Sequence, residues 1–274
     1  MLTLCKTPTV LQNPINWSHP RAHGLLARWL VVPGHPGAGS TWVDLCRGTV
    51  GMLSGTAVPP SVDSGWGATS RPGAWGELRF DGSNDLVTIG APPHLTLTTE
   101  VTLAAWVKPT VAPLTDYAKL VMYQYDSAGS DPFVAYGFNG SAYLDPIGAT
   151  GEYAFEMNTG GVGLSLNTGV LAVAGQWTHL MSTYRSGLVT IAVNGVLKAS
   201  ASLTGTISYG SGASLQMGGS TLTTEMAQIS LDDVCIWGRA LSQQECFEHY
   251  LESQLGDLGM LHSLGNLPWR TTGF

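Results

Sequence analysis

The chain has 274 residues, 35 of them glycine, and only 11% are charged, against roughly 25% in an average globular protein. The net charge is −7 and the 12 lysines and arginines are scattered; without a basic stripe to neutralise phosphates, nucleic-acid binding is disfavoured as a function class. No run of about 18 apolar residues exists, so no transmembrane helix is expected, and the start lacks the basic and apolar segments of a signal peptide.

Residues 1–22 are rich in Pro, Asn and His and lack periodicity, so they read as an extended arm. The domain itself is expected over 23–254. Leu25–Val32 is the first apolar run, and Pro33–Ser40 is a Gly/Pro loop. Short strands are expected at 42–46 and 50–53, joined by a turn at Arg47-Gly48. Residues 55–76 form a long Gly/Pro/Ser/Trp segment, read as a surface loop of a length that is uncommon without a function.

From Leu78 the β pattern is steady. Strands are expected at 78–80, 86–89, 101–107, 119–125, 133–138, 153–157, 177–184, 188–193, 196–200, 215–218 and 229–237. Asn194-Gly195 is the strongest hairpin signal, because both central residues of a type I′ turn need positive φ. A helix over 242–254 opens at the capping box Ser242 to Glu245. Its periodicity places Cys246, Phe247, Tyr250 and Leu251 on one face. Residues 255–274 form a tail without a strong pattern and are a second candidate docking segment. About a dozen short strands separated by turns predict an all-β fold: a two-sheet antiparallel sandwich with one short C-terminal helix.

Cys5, Cys46, Cys235 and Cys246 show no zinc-type spacing and read as buried reduced thiols. A Cys46–Cys235 or Cys235–Cys246 bridge stays open. Asp232 and Asp233 are adjacent, so in a regular strand they face opposite sides. Glu152 and Glu156 would share a face, but four residues span about 13 Å. That is too far for the paired carboxylates of a glycosidase. Neither a Gly-x-Ser-x-Gly elbow nor a phosphate loop occurs. No enzymatic activity is expected.

Six ordered blocks resemble the laminin-G-like branch of the concanavalin A-like jelly-roll family: GLLARWLV (24–31), DLCRGTVGML (44–53), LRFDGSNDLVTI (78–89), VTLAAWVKP (101–109), QWTHLMSTYRSGLVTIAVNG (176–195) and ISLDDVCIWGRALSQQE (229–245). The resemblance implies a jelly-roll over roughly 24–251. Cys46-Arg47 departs from the family's usual Ser-Gly at that turn, and the family's hydrolase signature Glu-x-Asp-x-x-Glu is absent. The opening NPINWSHPRAHGLLARWLV resembles lectin-like proteins encoded by tailed phages, which implies a virion location.

The family often carries structural calcium, which favours oxygen ligands from flexible loops. Asp81, Asn84 and Asp85 form an oxygen-rich turn, and Asp44 and Asp233 lie in blocks that could converge on it. The alternative is turn residues bonded to their own backbone. Aromatic faces suit pyranose rings. Trp66 and Trp75 in the 55–76 loop, with Tyr123, Tyr125, Tyr136 and Tyr143 around another loop cluster, are the candidate sugar-stacking residues. Three functions compete. The first is a non-catalytic virion decoration protein, attached to other virion proteins through its arm or tail and open to homo-oligomerisation. The second is a carbohydrate-binding module for host glycans. The third, a glycan hydrolase, is disfavoured.

Overall fold

The computed structural model describes residues 15–31, 39–57, 60–68, 71–111, 118–127, 130–140, 151–220, 225–256 and 260, with backbone only for 124–127 and 130–133. Its strands are β1 (Leu25–Trp29), β2 (Thr41–Val43), β3 (Val50–Ser54), β4 (Gly65–Gly67), β5 (Glu77–Asp81), β6 (Leu86–Gly90), β7 (Glu100–Pro109) and β8 (Ala118–Ser127). They continue with β9 (Ser130–Gly140), β10 (Glu152–Thr159), β11 (Val162–Leu171), β12 (Thr178–Arg185), β13 (Leu188–Val193), β14 (Val196–Ala201), β15 (Ser214–Met217) and β16 (Gln228–Trp237). A helix, α1 (Gln243–Gln254), follows.

The strands build two eight-stranded antiparallel sheets, a jelly-roll sandwich. The first runs β14-β13-β12-β7-β16-β5-β4, with β1 also paired to β16; the second runs β11-β10-β9-β8-β15-β6-β3-β2. Period-2 alternation decides what fills the space between them. Leu103, Ala105, Leu180, Ile191, Ile229 and Leu231 of the first sheet meet Val121, Phe138, Phe155 and Leu215 of the second in one core. Each such side chain contributes about 1.5–3 kcal/mol of burial energy.

A second, smaller core lies on the outer face of the first sheet. Leu25, Ala104, Met181, Cys235 and Trp237 there are covered by Ile15, Ala22, Leu241, Cys246 and Met260. Residues 15–22, read from sequence as part of an extended arm, contribute Ile15 and Ala22 to this packed layer. Ile15 is fully buried, and the Asn16 N–H donates to the Met260 carbonyl at 2.8 Å.

Most predicted elements are present. Asn194 and Gly195 take φ of 50° and 75° between β13 and β14, the turn that the Asn-Gly pair requires. Ser242 and Glu245 form both bonds of the capping box. The sequence reading misses two strands. β4 lies inside the 55–76 loop, where Gly65-Trp66-Gly67 pairs with Arg79-Leu78-Glu77 of β5. β11 is an edge strand with two glycines and several exposed positions, so it carries no clean alternation.

The helix is turned relative to its apolar pattern. Cys246, His249 and Ser253 are buried, whereas Phe247 and Leu251 are 44% and 42% exposed. The buried stripe keeps helical spacing but is partly polar, because the surface it meets presents His179 and Trp106. Trp106 Nε1–H donates to Ser253 Oγ at 2.9 Å. The ring centroid of His179 lies 5.3 Å from that of His249, and Trp106 lies 5.8 Å from Tyr250. Cys46, Cys235 and Cys246 are in no disulfide.

Candidate functional site

Among the described residues, a buried cluster of charges starts at β16. Its pairing with β7 shifts register between Asp232 and Cys235, and Asp233 adopts φ 53°. This is a β-bulge, in which one extra residue re-aims the side chains around it. The expectation that Asp232 and Asp233 face opposite sides is corrected here: the bulge turns both carboxylates into the layer beneath α1. Asp233 accepts from Arg28 Nε at 2.7 Å and Nη2 at 2.9 Å. Asp232 accepts from Arg71 and, at 3.0 Å, from the Val31 N–H. Arg71 also donates to the Ser253 carbonyl at 2.8 Å and stacks 4.9 Å above Trp106, which ties β16 to the helix.

All four charged groups are buried. Burial holds the Asp232 carboxyl up at about 6 in spite of Arg71. Burial also opposes charge on Asp233, but the Arg28 and Arg71 guanidinium groups outweigh it and keep that carboxyl well below the usual range. Burial pushes His179 down to about 3 and His249 well below its ordinary value, so both rings are neutral.

The five oxygen donors proposed for calcium do not form one site. Asp44 Oδ1 takes the N–H of Arg28 at 2.9 Å and of Cys46 at 2.7 Å; Oδ2 takes those of Arg47 and Thr49, both at 3.0 Å. Four backbone donors occupy both oxygens of Asp44, and the Arg28 guanidinium holds Asp233. The Asp81 turn sits elsewhere. Asp81 pairs with Gln228 and Arg28 with Cys235 on the same strand β16, and that stretch of strand spans roughly 20 Å. Within the turn, Asp81 Oδ1 accepts from Ser83 at 2.8 Å, and Asp85 Oδ2 accepts the Asp81 N–H at 2.9 Å. Asp81 and Asp85 thus each spend one oxygen on the backbone of their own turn, and the buried Asp85 Oδ1 has no hydrogen-bond partner.

The aromatic candidates are also redistributed. Tyr123 and Tyr136 are fully buried, with ring centroids 5.7 Å apart and Tyr209 edge-on to Tyr123 at 4.8 Å. They belong to the inter-sheet core. Trp66 packs edge-on against Trp42 at 5.9 Å, and its Nε1–H donates to the Gly39 carbonyl at 3.1 Å. Trp75 is 37% exposed and is the one tryptophan of that loop that reaches solvent. The Tyr125 side chain and Tyr143 lie outside the described residues.

Two further regions remain. On the outer face of the second sheet, cross-strand pairing aligns Ser165, Glu156, Gly137, Met122, Gln216 and Thr88 in one row. Asn167, Ala154, Asn139 and Lys119 form the next row. Lys119 Nζ stands 3.6 Å from Glu156 and 3.8 Å from Glu225, and neither amide atom of the buried Asn139 has a hydrogen-bond partner. On the outer face of β12–β14, beside the start of α1, a cavity of about 510 Å³ opens to solvent. Thr183, Ser186, Thr190, Ser200 and Ser242 bring hydroxyls to it, and Leu188 brings an aliphatic wall. Nothing in the sequence patterns marked this cavity, because it arises where three strands and a helix start meet. Among the described residues no helix is long and apolar enough to cross a membrane.

Comparison with known proteins places this geometry. A family model described as the concanavalin A-like lectin/glucanases superfamily matches residues 81–246. No curated protein matches the chain by sequence. Among solved structures, domain 4 of AbnA, a GH43 extracellular arabinanase from Geobacillus stearothermophilus in complex with arabinotriose, aligns at TM-score 0.59 and 18% identity, over 82% of this chain and 97% of that one. Trypanosoma rangeli sialidase aligns at TM-score 0.58 and 13% identity over 85% of this chain but only 33% of its own. The binding domain of Paraclostridial Mosquitocidal Protein 1 aligns at TM-score 0.56 and 15% identity, over 83% of this chain and 52% of that one. At these identities the likeness is one of fold.

Proposed function

We propose that this chain, which belongs to the concanavalin A-like lectin/glucanases superfamily, is a non-catalytic carbohydrate-binding sandwich. The observation that carries the reading is the solvent-open cavity on β12–β14. Its volume lies within the usual range for small-molecule sites. Ser186 and Ser200 beside exposed Leu188 suit a saccharide, which has hydroxyls at its rim and C–H surface on its faces, while the Thr183 and Thr190 hydroxyls bond each other and Ser242 caps α1. The similarity to an arabinanase domain crystallised with arabinotriose supports the same class of ligand.

The absence of catalysis rests on where the buried carboxylates are committed. Asp232 and Asp233 are each held by an arginine. Lys119 Nζ stands 3.6 Å from Glu156 and 3.8 Å from Glu225, so both of those acids also face a cation. Display on a virion, through residues 1–22 or 255–274, is compatible and rests on the likeness of the opening segment to phage-encoded proteins. Its test must spare Ile15, Ala22 and Met260, which are part of the packed layer. Removal of residues 1–14 and 261–274 should therefore abolish particle attachment while leaving the fold intact.

The glycan reading is tested by a glycan array on the purified protein, followed by Thr190→Leu and Ser200→Trp to fill the cavity. Binding that these variants lose at unchanged melting temperature supports it. An array without a single ligand, or binding that survives both variants, overturns it.

A further inference from the structure

Beneath α1, away from the cavity, three donor groups of different chemistry converge. A carboxylate oxygen of Asp233, the Cys235 sulfur and a ring nitrogen of His249 all lie within 4.8 Å of one another, and all three residues are fully buried. The cluster is assembled from two elements. The β16 bulge supplies Asp233 and Cys235, two residues apart, and the docked face of α1 supplies His249.

A second observation points at a ligand. Buried polar groups are almost always hydrogen-bonded, yet both ring nitrogens of His249 lack a partner, and so do both of His179. The two rings lie 5.3 Å apart, and Trp237 lies 5.2 Å from His249. Four unpartnered imidazole nitrogens in a fully buried cluster would cost several kcal/mol if nothing satisfied them.

We propose that Asp233, Cys235 and His249 form a binding site for a zinc ion, with the unpartnered His179 ring packed beside it. The donor set selects the metal. Thiolate and imidazole favour a borderline-soft cation with tetrahedral geometry and disfavour calcium and magnesium, which take oxygen. Bond lengths of about 2.0–2.3 Å require the donors to close by roughly 1 Å from their present spacing. Rotation of the Cys235 and His249 side chains can supply that movement. Arg28 then acts behind the ligand: its bidentate grip orients the Asp233 carboxylate and offsets its charge, as outer partners of metal ligands commonly do. On binding, the Cys235 thiol releases its proton to solvent as the ion enters, so the thiolate charge partly neutralises the cation. Because the site is enclosed, loading accompanies folding. The ion would then pin α1 to the first sheet, with β16 on one side and the helix on the other.

The test is to unfold the full chain and refold it with zinc or with cobalt(II), the optical surrogate, then measure metal content after exhaustive dialysis. One equivalent of zinc is expected, together with a tetrahedral cobalt spectrum carrying a thiolate charge-transfer band. Cys235→Ser should remove that band, and His249→Gln should remove the stoichiometric metal. Cys246→Ser, at a buried cysteine on the same helix outside the cluster, should retain both. Refolded wild-type protein with native circular dichroism but without bound metal overturns the proposal, and so does a thiolate band that persists in Cys235→Ser. If Cys235→Ser does not fold, X-ray absorption on the wild-type cobalt protein decides: one sulfur in the first shell supports the site and none refutes it.

Discussion

The two sheets treat their outer faces differently. On the first, every described charge beneath the helix is met at hydrogen-bond distance: Arg28 on Asp233, Arg71 on Asp232, and Arg71 again on a helix carbonyl. On the second, Lys119 stands beyond hydrogen-bond distance from Glu156 and Glu225, and Asn139 carries two unpartnered atoms. One face is a structural joint between a strand bulge and a helix. The other is a row of polar side chains laid out by cross-strand register. The contrast teaches that burial of charge marks a joint only where each charge has a directional partner.

The largest expected effect is at the joint. Arg28→Met leaves Asp233 buried without its partner and should cost about 3–5 kcal/mol, while Lys119→Met should cost about 1–2 kcal/mol, because its partners are held more loosely. Urea unfolding of both variants measures this; equal losses would erase the distinction between the faces.

The next effect is in pH. In the metal-free protein, His179 and His249 are neutral when folded but take protons below about 6.5 when unfolded, so each loses stability as pH falls. Asp232 works in the opposite sense: its folded carboxyl, held at about 6, binds a proton before the unfolded one does, so it gains stability as pH falls from 6 towards 4. For these three groups the two losses outweigh the one gain, so their combined contribution falls as pH drops from 6 towards 4. His249→Gln removes one loss and should flatten the profile. A wild-type stability that rises on acidification from 6 to 4 would contradict the assignment.

Smaller effects follow. Ser242→Ala should cost about 1 kcal/mol through loss of the cap, read as a drop in melting temperature. Asn139→Leu, on the second face, should be neutral or stabilise by up to about 1 kcal/mol, since it removes two unpartnered buried atoms. A marked destabilisation there would mean that the amide is satisfied in solution.

The strands with strict alternation, the Asn194-Gly195 turn and the Ser242 cap were legible because each signal is local. β11 was not, since an edge strand with exposed positions and two glycines carries little pattern. The helix face was misread because Phe247 and Leu251 obey the apolar period, while the surface awaiting the helix offers Trp106 and His179 and selects His249 and Ser253 instead. The candidate sites were the least legible. Asp44, Asp81 and Asp233 sit in matching blocks, but strand pairing separates the Asp81 turn from the other two.

By itself the sequence determined the all-β class, the two-layer build and the closing helix, because period-2 burial, turn stereochemistry and helix capping are set by neighbours within a few residues. Only the tertiary structure decided that Asp232 and Asp233 share a layer, that Tyr123 and Tyr136 are core, and that Asp233, Cys235 and His249 meet. Those outcomes depend on a one-residue bulge and on the angle at which a helix docks, and both are chosen by contacts between residues far apart along the chain.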